Sequence, residues 1–488
     1  MNQTSVQAFQ GFGAKTIIRS ADDIAAVVNH GPARGGHAHI VVALALGGVF
    51  LDAYDLTTLS YGIGDVRAHF HLDAATTGLV AAALNAGTII GSLVGGWLTD
   101  RIGRYAVFMA DMACFVVAAL VAGAAPNVYV LIAARLAMGF GVGMDLPVAM
   151  AFLAEFSKLS GKGSKAARAA AWCPVWYAAS SACFLLVFGM SAVVPASHSD
   201  WLWRGSLAFG AVPALLIILV RSKYMSESPL WLARQGELAR AAEILRRSHG
   251  IDPVLEVDVT KRVSVKPRAA PLPLFRGPLL RRTALINIMT LTSAFAYSAI
   301  AFEGPGLLQT LLRLDRVEVL VATIVLNLVF AFTGGLIGVR LARSVSSRLL
   351  AISGYAVQIV SLAALALVGH PHGNIGIIIM LAGFAGFLFA QGFGPGCQLM
   401  VYPTLSYPTE LRGSGIGLAR LVSGIGGTVS LVFLPKLYAV FGSNLFWFVV
   451  CATSLPFFAH LLVRWEVLGY DPDLDPALRP QALCKKRT

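Results

Sequence analysis

Four ionisable side chains fall inside segments apolar enough to cross a bilayer. Asp52 and Asp55 stand three residues apart and so share one helix face, and Arg135 and Asp145 lie near one face about 15 Å apart along the axis. A charge at membrane depth costs at least about 2.5 kcal/mol, so such residues need a functional reason. Two carboxylates this close raise one another's proton affinity. The group predicts proton coupling, and the alternative is that Asp55 or Asp145 joins helices by hydrogen bonds.

A second set of polar and aromatic side chains is predicted to bind a substrate. Most of them lie in the second half of the chain, where the side chains other than Glu303 and Arg420 can hydrogen-bond a solute without titrating. Arg420 would suit a substrate carboxylate or could pair with Glu410, and Glu303 could instead be a solvated gate residue. Trp176 could stack on a ring or serve as packing. The predicted set is Trp176, Tyr297, Glu303, Asn327, Gln391, Gln398 and Arg420.

The loop from Gly96 to Arg104 sets an aspartate and two arginines between two apolar segments. Asp100 can pair with these arginines, and the arginines with neighbouring acids or with a helix C-terminus, whose carbonyls attract cations. Such pairs could latch one conformation, whereas a simple topology anchor would need neither the aspartate nor the glycines. The predicted latch residues are Gly96, Asp100, Arg101, Gly103, Arg104, Glu155, Glu410 and Arg412.

The segments that position these residues have a composition suited to a lipid bilayer. Hydrophobic residues make up 57% of the chain and charged residues only 13%, which excludes a set of water-soluble domains. Apolar runs of about 20 residues are long enough to span a bilayer. About twelve begin near Ile40, Thr76, Tyr105, Val128, Arg168, Leu202, Thr283, Glu318, Leu349, Asn374, Gly413 and Ser443. We therefore predict an all-α membrane protein of twelve transmembrane helices.

The distribution of Lys and Arg predicts the orientation of these spans. The even-numbered connections are rich in basic residues, above all the long central one, and the odd-numbered ones are poor in them. Because basic loops resist translocation, both termini are expected in the cytosol. The net charge of +13 is then an orientation signal facing anionic headgroups, and no nucleic-acid partner is expected. The first 37 residues lack the pattern of a secretory leader and are expected to form a mobile cytosolic tail.

The domain layout follows from the central loop, which separates two sets of six spans. The predicted parts are a tail (1–37), a six-helix bundle (38–220), a linker (221–282), a second six-helix bundle (283–466) and a second tail (467–488). Within the linker, Ser228 reads as an N-cap, Pro229 as the first helical residue, and apolar residues to Leu245 recur at helical spacing. One amphipathic helix is expected there, as a brace on the cytosolic face. The cysteines show no paired spacing, and neither a disulfide nor a metal site is expected.

The two halves repeat one another. Residues 139–146 read GFGVGMDL and residues 392–399 read GFGPGCQL, so that Asp145 corresponds to Gln398. Asn85 and Asn327 stand the same distance before Asp100 and Ala342, respectively. Glycines recur every four residues in the second span, at positions 87, 91 and 95, and predict a groove for close helix contact. A duplicated bundle of this kind suits rocking of one half against the other.

These motifs resemble the major facilitator superfamily over nearly all of residues 38–466. The sequence G-x-x-x-D-R-x-G-R at 96–104, Glu227-Ser228-Pro229 after the sixth span, and the run 407–413 (YPTELRG) resemble its sugar-porter and phosphate/proton-symporter branches. The resemblance implies a major facilitator fold of two pseudo-symmetric bundles, and a proton path through Asp52, Asp55 and Asp145 with Arg135 as charge partner. Departures narrow the substrate. The seventh span lacks both a Gln-rich sugar motif and a lysine, which disfavours a hexose and inorganic phosphate.

The predicted function is therefore proton-coupled symport of a small polar metabolite by alternating access, with organic acids and sugar acids favoured. Facilitated diffusion, proton-driven export and a non-transporting nutrient sensor are the alternatives. The chain carries no nucleophile motif or metal-ligand spacing, so it is not expected to be an enzyme. We expect protons in place of a cofactor, a small-molecule substrate, the bilayer as surroundings, a monomer, and a location in a bacterial inner membrane.

Overall fold

The computed structural model describes residues 16–21, 23–24, 27, 38–156, 164–194, 200–249, 253–256, 272–302, 304–314, 316–369, 371, 373–472, 475 and 478. Two residues of the predicted sites are affected by the gaps. Glu303 lies outside the described residues, and of Glu155 only the backbone is described.

The first bundle contains spans 1 to 6, counted along the chain. Span 1 is the 33-residue helix Ala38–Phe70, and spans 2, 3 and 4 are Ala74–Ile102, Arg104–Gly123 and Val128–Phe156. Span 5 combines Ser164–Ala170 with Trp172–Val193, and span 6 combines Asp200–Phe209 with Ala211–Tyr224. Asp73 begins span 2 as an N-cap, since its side chain accepts from the Thr76 backbone N–H. Hydrogen bonding with the Thr76 side chain and backbone lowers the pKa of the Asp73 carboxyl.

The second bundle contains spans 7 to 12, and two of them are irregular. Span 7 is Gly277–Ala301, followed by Gly304–Leu312, and span 9 is Ser347–Val368. Span 8 runs through Arg316–Val325, a π-helical segment Leu326–Phe332, and Thr333–Leu341. Span 10 joins Gly373–Gln391 to Cys397–Ser406 through the π-helical segment Gly392–Gly396, where Pro395 lacks the N–H that a regular helix needs. Spans 11 and 12 are Thr409–Phe441 and Leu445–Leu462.

Within the described residues, eleven helical stretches are long and apolar enough to cross a membrane, and Ala38–Phe70 precedes them. Many of their large apolar side chains are exposed, as lipid-facing residues must be. The prediction of an all-α membrane fold with twelve spans is therefore confirmed.

Spans 2 and 4 approach closely along a glycine-lined contact. A Cβ added at Gly95 would lie 2.5 Å from the Met144 Cα, and one at Gly87 or Gly91 would collide with backbone of Leu136 or Phe140. Gly139 and Gly143 of span 4 meet the backbone of span 2 in the same way. The groove predicted from the four-residue glycine spacing is confirmed, and it fixes span 4, with Arg135 and Asp145, against span 2.

The described parts of the central linker lie with strand residues 16–18 and with the residues that follow span 12, such as Tyr470, on one side of the bundles, here called the linker face. Ser228 caps a short helix, Pro229–Arg234, by accepting from the Trp231 N–H, as the sequence predicts. The prediction of a single amphipathic helix in the linker is wrong. Gly236, at φ +88°, ends the first helix and a second one, Leu238–His249, follows.

The N-terminal segment is also more ordered than expected. Strand β1, Thr16–Ile18, pairs in parallel with strand β2, Pro253–Leu255, and Arg19 forms a 2.6 Å ion pair with Glu256. Ile18 and Ile24 are buried against the linker helices. The expectation of a mobile tail is therefore wrong for these residues. Ile18 and Ile24 pack against the linker helices, a contact between distant segments that the sequence pattern does not indicate.

Candidate transport site

One ion pair joins the two bundles near the centre of the molecule. Arg420 of span 11 donates from Nη2 to Asp52 Oδ2 of span 1. Asp52 is 3% exposed and the Arg420 side chain 11% exposed. Glu410, the alternative partner for Arg420, instead lies 3.8 Å from Arg234 of the linker. Arg420 of the second half is thus neutralised by an acid of the first half.

A second ion pair lies wholly inside the first bundle. Arg135 Nη1 of span 4 is 3.6 Å from Asp55 Oδ2 of span 1, and both side chains are almost completely buried. The two acids of span 1 therefore face different partners. Asp52 reaches across to the second bundle, whereas Asp55 is held by its own.

Asp145 belongs to a third cluster, nearer the linker face. Arg221 at the end of span 6 donates from Nη2 to Asp145 Oδ1 at 3.0 Å, and its Nη1 lies 3.7 Å from Asp111 Oδ1 of span 3. The guanidinium also donates to the Phe108 and Leu44 carbonyl oxygens. Two carboxylates and one guanidinium thus share a site shielded from solvent and tie spans 1, 3, 4 and 6 together.

Sequence reasoning missed Asp111 and Arg221. Asp111 carries the same signal as Asp52, an acid inside an apolar run, and intramembrane position alone could have identified it. Arg221 begins the basic linker in sequence and reads as an orientation signal. Only the structure shows that its side chain turns back into the bundle, where it is fully buried.

A central cavity lies between the bundles beside Arg420. Its space is about 70 Å³, and among the described residues that line it Arg420 is the only formally charged one. Five aromatic residues of spans 5 and 7 form one side: Trp172, Trp176, Tyr177, Tyr297 and Phe302. Trp176 Nε1 donates to the Tyr297 hydroxyl at 2.9 Å, which joins the two bundles a second time.

A larger cavity, of about 400 Å³, lies toward the face opposite the linker. Tyr297 and Phe302 line both cavities and so form the wall between them. The polar residues of the outer cavity include Asp65, Ser180, Gln309 and Asn327. A solute can therefore approach the centre from this face once the two aromatic side chains move.

The predicted substrate residues are divided between these spaces. Trp176, Tyr297, Gln391 and Arg420 line the central cavity, and Asn327 lines the outer one. Gln391 accepts a 2.7 Å hydrogen bond from Gln358. Gln398 lines neither cavity; it is fully buried, and neither end of its amide has a hydrogen-bond partner among the described residues.

The linker face is closed by contacts between spans 2 and 11. Asp100 accepts hydrogen bonds from the Ser414 N–H at 3.0 Å and the Ser414 hydroxyl at 2.8 Å. A Cβ on Gly96 would lie 2.6 Å from the Gly413 carbonyl oxygen. Arg104, fully buried, donates to the Thr99 carbonyl and, across the interface, to the Thr409 carbonyl at 3.4 Å.

The remaining latch residues contribute unequally. Arg412 donates to the Thr409 hydroxyl at 3.1 Å, within span 11. Arg101 stacks on the exposed Trp97 ring at 4.1 Å and stays on its own helix. Gly103 has φ +104°, and a Cβ there would collide with the carboxylate of Glu227.

Glu227 connects the linker to this closed face. Its carboxylate accepts from the Arg104 N–H at 2.8 Å and the Tyr105 N–H at 3.2 Å, which caps the start of span 3. Burial raises the pKa of Glu227, although the backbone donors oppose the shift. Trp231 Nε1 donates to the Asp100 carbonyl at 3.1 Å, so the linker holds both the loop and the helix that follows it.

Two helical bundles, a central cavity between them and contacts that close the linker face are the architecture of a membrane transporter. The family model described as "Sugar (and other) transporter" matches residues 40–466. The chain belongs to this family, within the major facilitator superfamily, as the motifs predicted.

Individual relatives are distant but match along most of their length. The chain is 28% identical to the inner membrane metabolite transport protein YgcS of Escherichia coli, over 82% of this chain and 85% of that protein. It is 26% identical to the arabinose-proton symporter of Bacillus subtilis, over 86% and 89%. Among solved structures, the proton:xylose symporter XylE of E. coli, bound to 6-bromo-6-deoxy-D-glucose, superposes with a TM-score of 0.76 at 17% identity, over 90% and 98%.

Proposed function

We propose that the protein is a proton-coupled symporter that carries a small organic acid into the cell. The proposal places it as a monomer in a bacterial inner membrane with both termini in the cytosol, as the basic linker face predicts. The observation that carries it is the ion pair between Arg420 and Asp52, which joins the bundles beside the central cavity.

The pair links substrate binding to protonation. A substrate carboxylate in the central cavity competes with Asp52 for the guanidinium of Arg420, which lines this cavity. Asp52 that loses its partner would be a buried, uncompensated charge, which is strongly disfavoured unless it takes up a proton. One anion and one proton therefore load together, and the site keeps its charge.

The same exchange explains how the halves are released. With Asp52 protonated and Arg420 bound to substrate, the ion pair no longer joins span 1 to span 11. Rocking then requires the linker-face contacts to open, among them those of Asp100 with Ser414 and of Arg104 with the Thr409 carbonyl. In this scheme Asp55 and Asp145 stay within the first bundle and offer later positions for the proton on its way to the cytosol.

The names of relatives support this proposal. The arabinose-proton symporter and the proton:xylose symporter are both proton-coupled by name. Their sugars do not transfer to this chain, whose cavity presents a cation to the solute.

Proteoliposome uptake tests the coupling. Labelled lactate, benzoate, gluconate and glucuronate are offered with an inward proton gradient, and protein-free vesicles correct for passive passage of protonated acids. We expect gradient-dependent accumulation of at least one acid and its loss with an uncoupler. Uptake of a confirmed substrate that ignores both treatments would contradict the proposal.

A matched pair of variants locates the coupling. Asp52→Asn should abolish accumulation while substrate exchange continues. Asp200→Asn serves as control, because this acid lies on the far side of the first bundle, 3.9 Å from Arg204 and partly exposed. It should leave both activities within about two-fold.

A further inference from the structure

Aromatic side chains line one side of the central cavity and offer contacts to a flat apolar ring. Trp172 and Trp176 meet edge to face at 5.8 Å between centroids, and Tyr297 packs against Trp176 at 6.4 Å and Tyr177 at 6.2 Å. Phe302 lies 5.7 Å from Tyr297. Rings set edge to face in this way leave positions where one more ring can pack.

Three polar groups of the lining already form hydrogen bonds within the protein. The Tyr297 hydroxyl accepts from Trp176, the Gln391 carbonyl accepts from Gln358, and the Thr88 hydroxyl donates to the Leu84 carbonyl. A sugar acid carries several hydroxyls, and each that is buried without a partner is costly. Beyond these groups, Asn85, Ser298, Ser423 and Arg420, the lining is mostly aromatic, aliphatic or glycine, so it offers a ring more contact than a polyhydroxylated solute.

Two donors beside the rings lack acceptors. Trp172 is 8% exposed, lines the cavity, and its Nε1 has no hydrogen-bond acceptor among the described residues. Arg420 Nε has none either. An unpaired N–H and a guanidinium in the lining of one small cavity suit a single carboxylate, since charge-assisted hydrogen bonds are the strong ones.

We propose that the substrate is an aromatic monocarboxylate, with its ring among the five aromatic residues and its carboxylate between Arg420 and Trp172. This rests on the proposed function only in taking the central cavity as the substrate site. A cavity of roughly 150 Å³ accepts benzene, and this one has about 70 Å³. The ring therefore requires Tyr297 or Phe302 to turn toward the outer cavity, which has room for either side chain.

Calorimetry on purified full-length protein in detergent tests the class without a proton gradient. The probes are benzoate, cyclohexanecarboxylate, benzyl alcohol, gluconate and glucuronate. We expect benzoate to bind at least tenfold more tightly than each of the others, because only benzoate combines a flat aromatic ring with a carboxylate. Tighter binding of gluconate or glucuronate, or no difference between benzoate and benzyl alcohol, would overturn the proposal.

Variants assign the two ends of the ligand. Trp172→Phe keeps a ring and removes the N–H, so benzoate affinity should fall about five- to tenfold. Arg420→Gln alone strands Asp52, so it is paired with Asp52→Asn, and the double variant should lose at least about 100-fold while its melting temperature stays near that of the parent. Unchanged affinity in the double variant would contradict the assignment.

Asp52→Asn alone provides the sharpest control. Arg420 is then free of its competitor, so benzoate should bind as tightly as in the parent or more so. The charged groups around Asp52 are Arg420, Asp55 and Asp145, and Arg420 alone lines the cavity. Benzoate affinity should therefore depend less on pH in Asp52→Asn than in the parent. If benzoate binds in this manner yet is not accumulated with protons, the coupling fails and the assignment of the ligand stands.

Discussion

The two bundles have the same arrangement of six spans but differ in their buried polar side chains. The first holds Asp55 with Arg135, and Asp145 and Asp111 with Arg221, at buried positions. At the position that corresponds to Asp145 the second has the neutral Gln398, and its buried Gln358 and Gln391 form an amide pair. Charge that can be neutralised by a proton is thus concentrated in one half.

The contrast extends to a pair of arginines related by the repeat. Leu219-Val220-Arg221 ends span 6 and Leu462-Val463-Arg464 follows span 12, each at the same distance from a proline, Pro213 or Pro456. Arg221 is fully buried on two carboxylates, whereas Arg464 is exposed. In the second bundle Gln398 replaces Asp145, so the acid that would stabilise a buried Arg464 is missing at that position.

Other features are kept in both halves. Glu227 caps span 3, and Glu466 after span 12 accepts from the Ser347 N–H at 3.1 Å and the Arg348 N–H at 3.3 Å at the start of span 9. Backbone donors at a helix start need an acceptor whatever the function of the bundle. The caps are therefore structural in both halves, and the buried charges distinguish one half from the other.

The largest effect is expected from the related arginines. Arg221→Met leaves two buried carboxylates without a cation and should destabilise the protein by about 3–5 kcal/mol, the scale for breaking a buried ion pair. Arg464→Met, the exposed counterpart, should change the stability by under about 0.5 kcal/mol. Thermal unfolding in detergent measures both, and equal losses would show that the bundles do not differ in this way.

The next largest effect is expected at Asp145 and Gln398, which occupy corresponding positions in the two halves. Asp145→Asn should abolish accumulation against a gradient and leave exchange largely intact, because exchange needs no net proton release. Gln398→Ala should weaken both activities together, since its unpaired amide is available to a solute in another conformation. Paired uptake and exchange assays decide, and identical behaviour of the two variants would contradict a division of labour.

A smaller effect is expected at the linker face. Asp100→Asn keeps the shape but weakens the hydrogen bonds from Ser414, so the closed state should lose stability and turnover should fall about tenfold with substrate affinity retained. Arg343→Gln alters the corresponding loop of the second bundle, where Ala342 replaces the aspartate, and should stay within two-fold. Normal turnover in Asp100→Asn would show that the loop motif at 96–104 acts only as a topology anchor.

The smallest effect concerns the caps. Glu227→Gln and Glu466→Gln should each cost about 1 kcal/mol. Because burial raises the pKa of Glu227 in the folded protein, the folded state binds its proton more readily, and this term of stability falls as pH rises from the ordinary value of 4.5 through the raised pKa. Glu227→Gln should remove that pH-dependent part, which melting curves between pH 4 and 7 would show; an unchanged profile would contradict the assignment.

The sequence by itself determined the spans, their repeat, the glycine groove and which charges lie at membrane depth. Hydropathy, helical spacing and glycine periodicity are local properties, so they can be read along the chain. The family followed from motifs that are equally local.

Only the tertiary structure decided which charges meet. Asp52 and Arg420 are separated by 368 residues, and Arg221 reaches Asp145 across 76. Such pairs depend on how each helix is rotated and how the bundles are registered, which is set by side-chain packing over the whole molecule. The ordered β1 strand and the aromatic cavity have the same origin, because each needs surfaces from distant segments that no local pattern specifies.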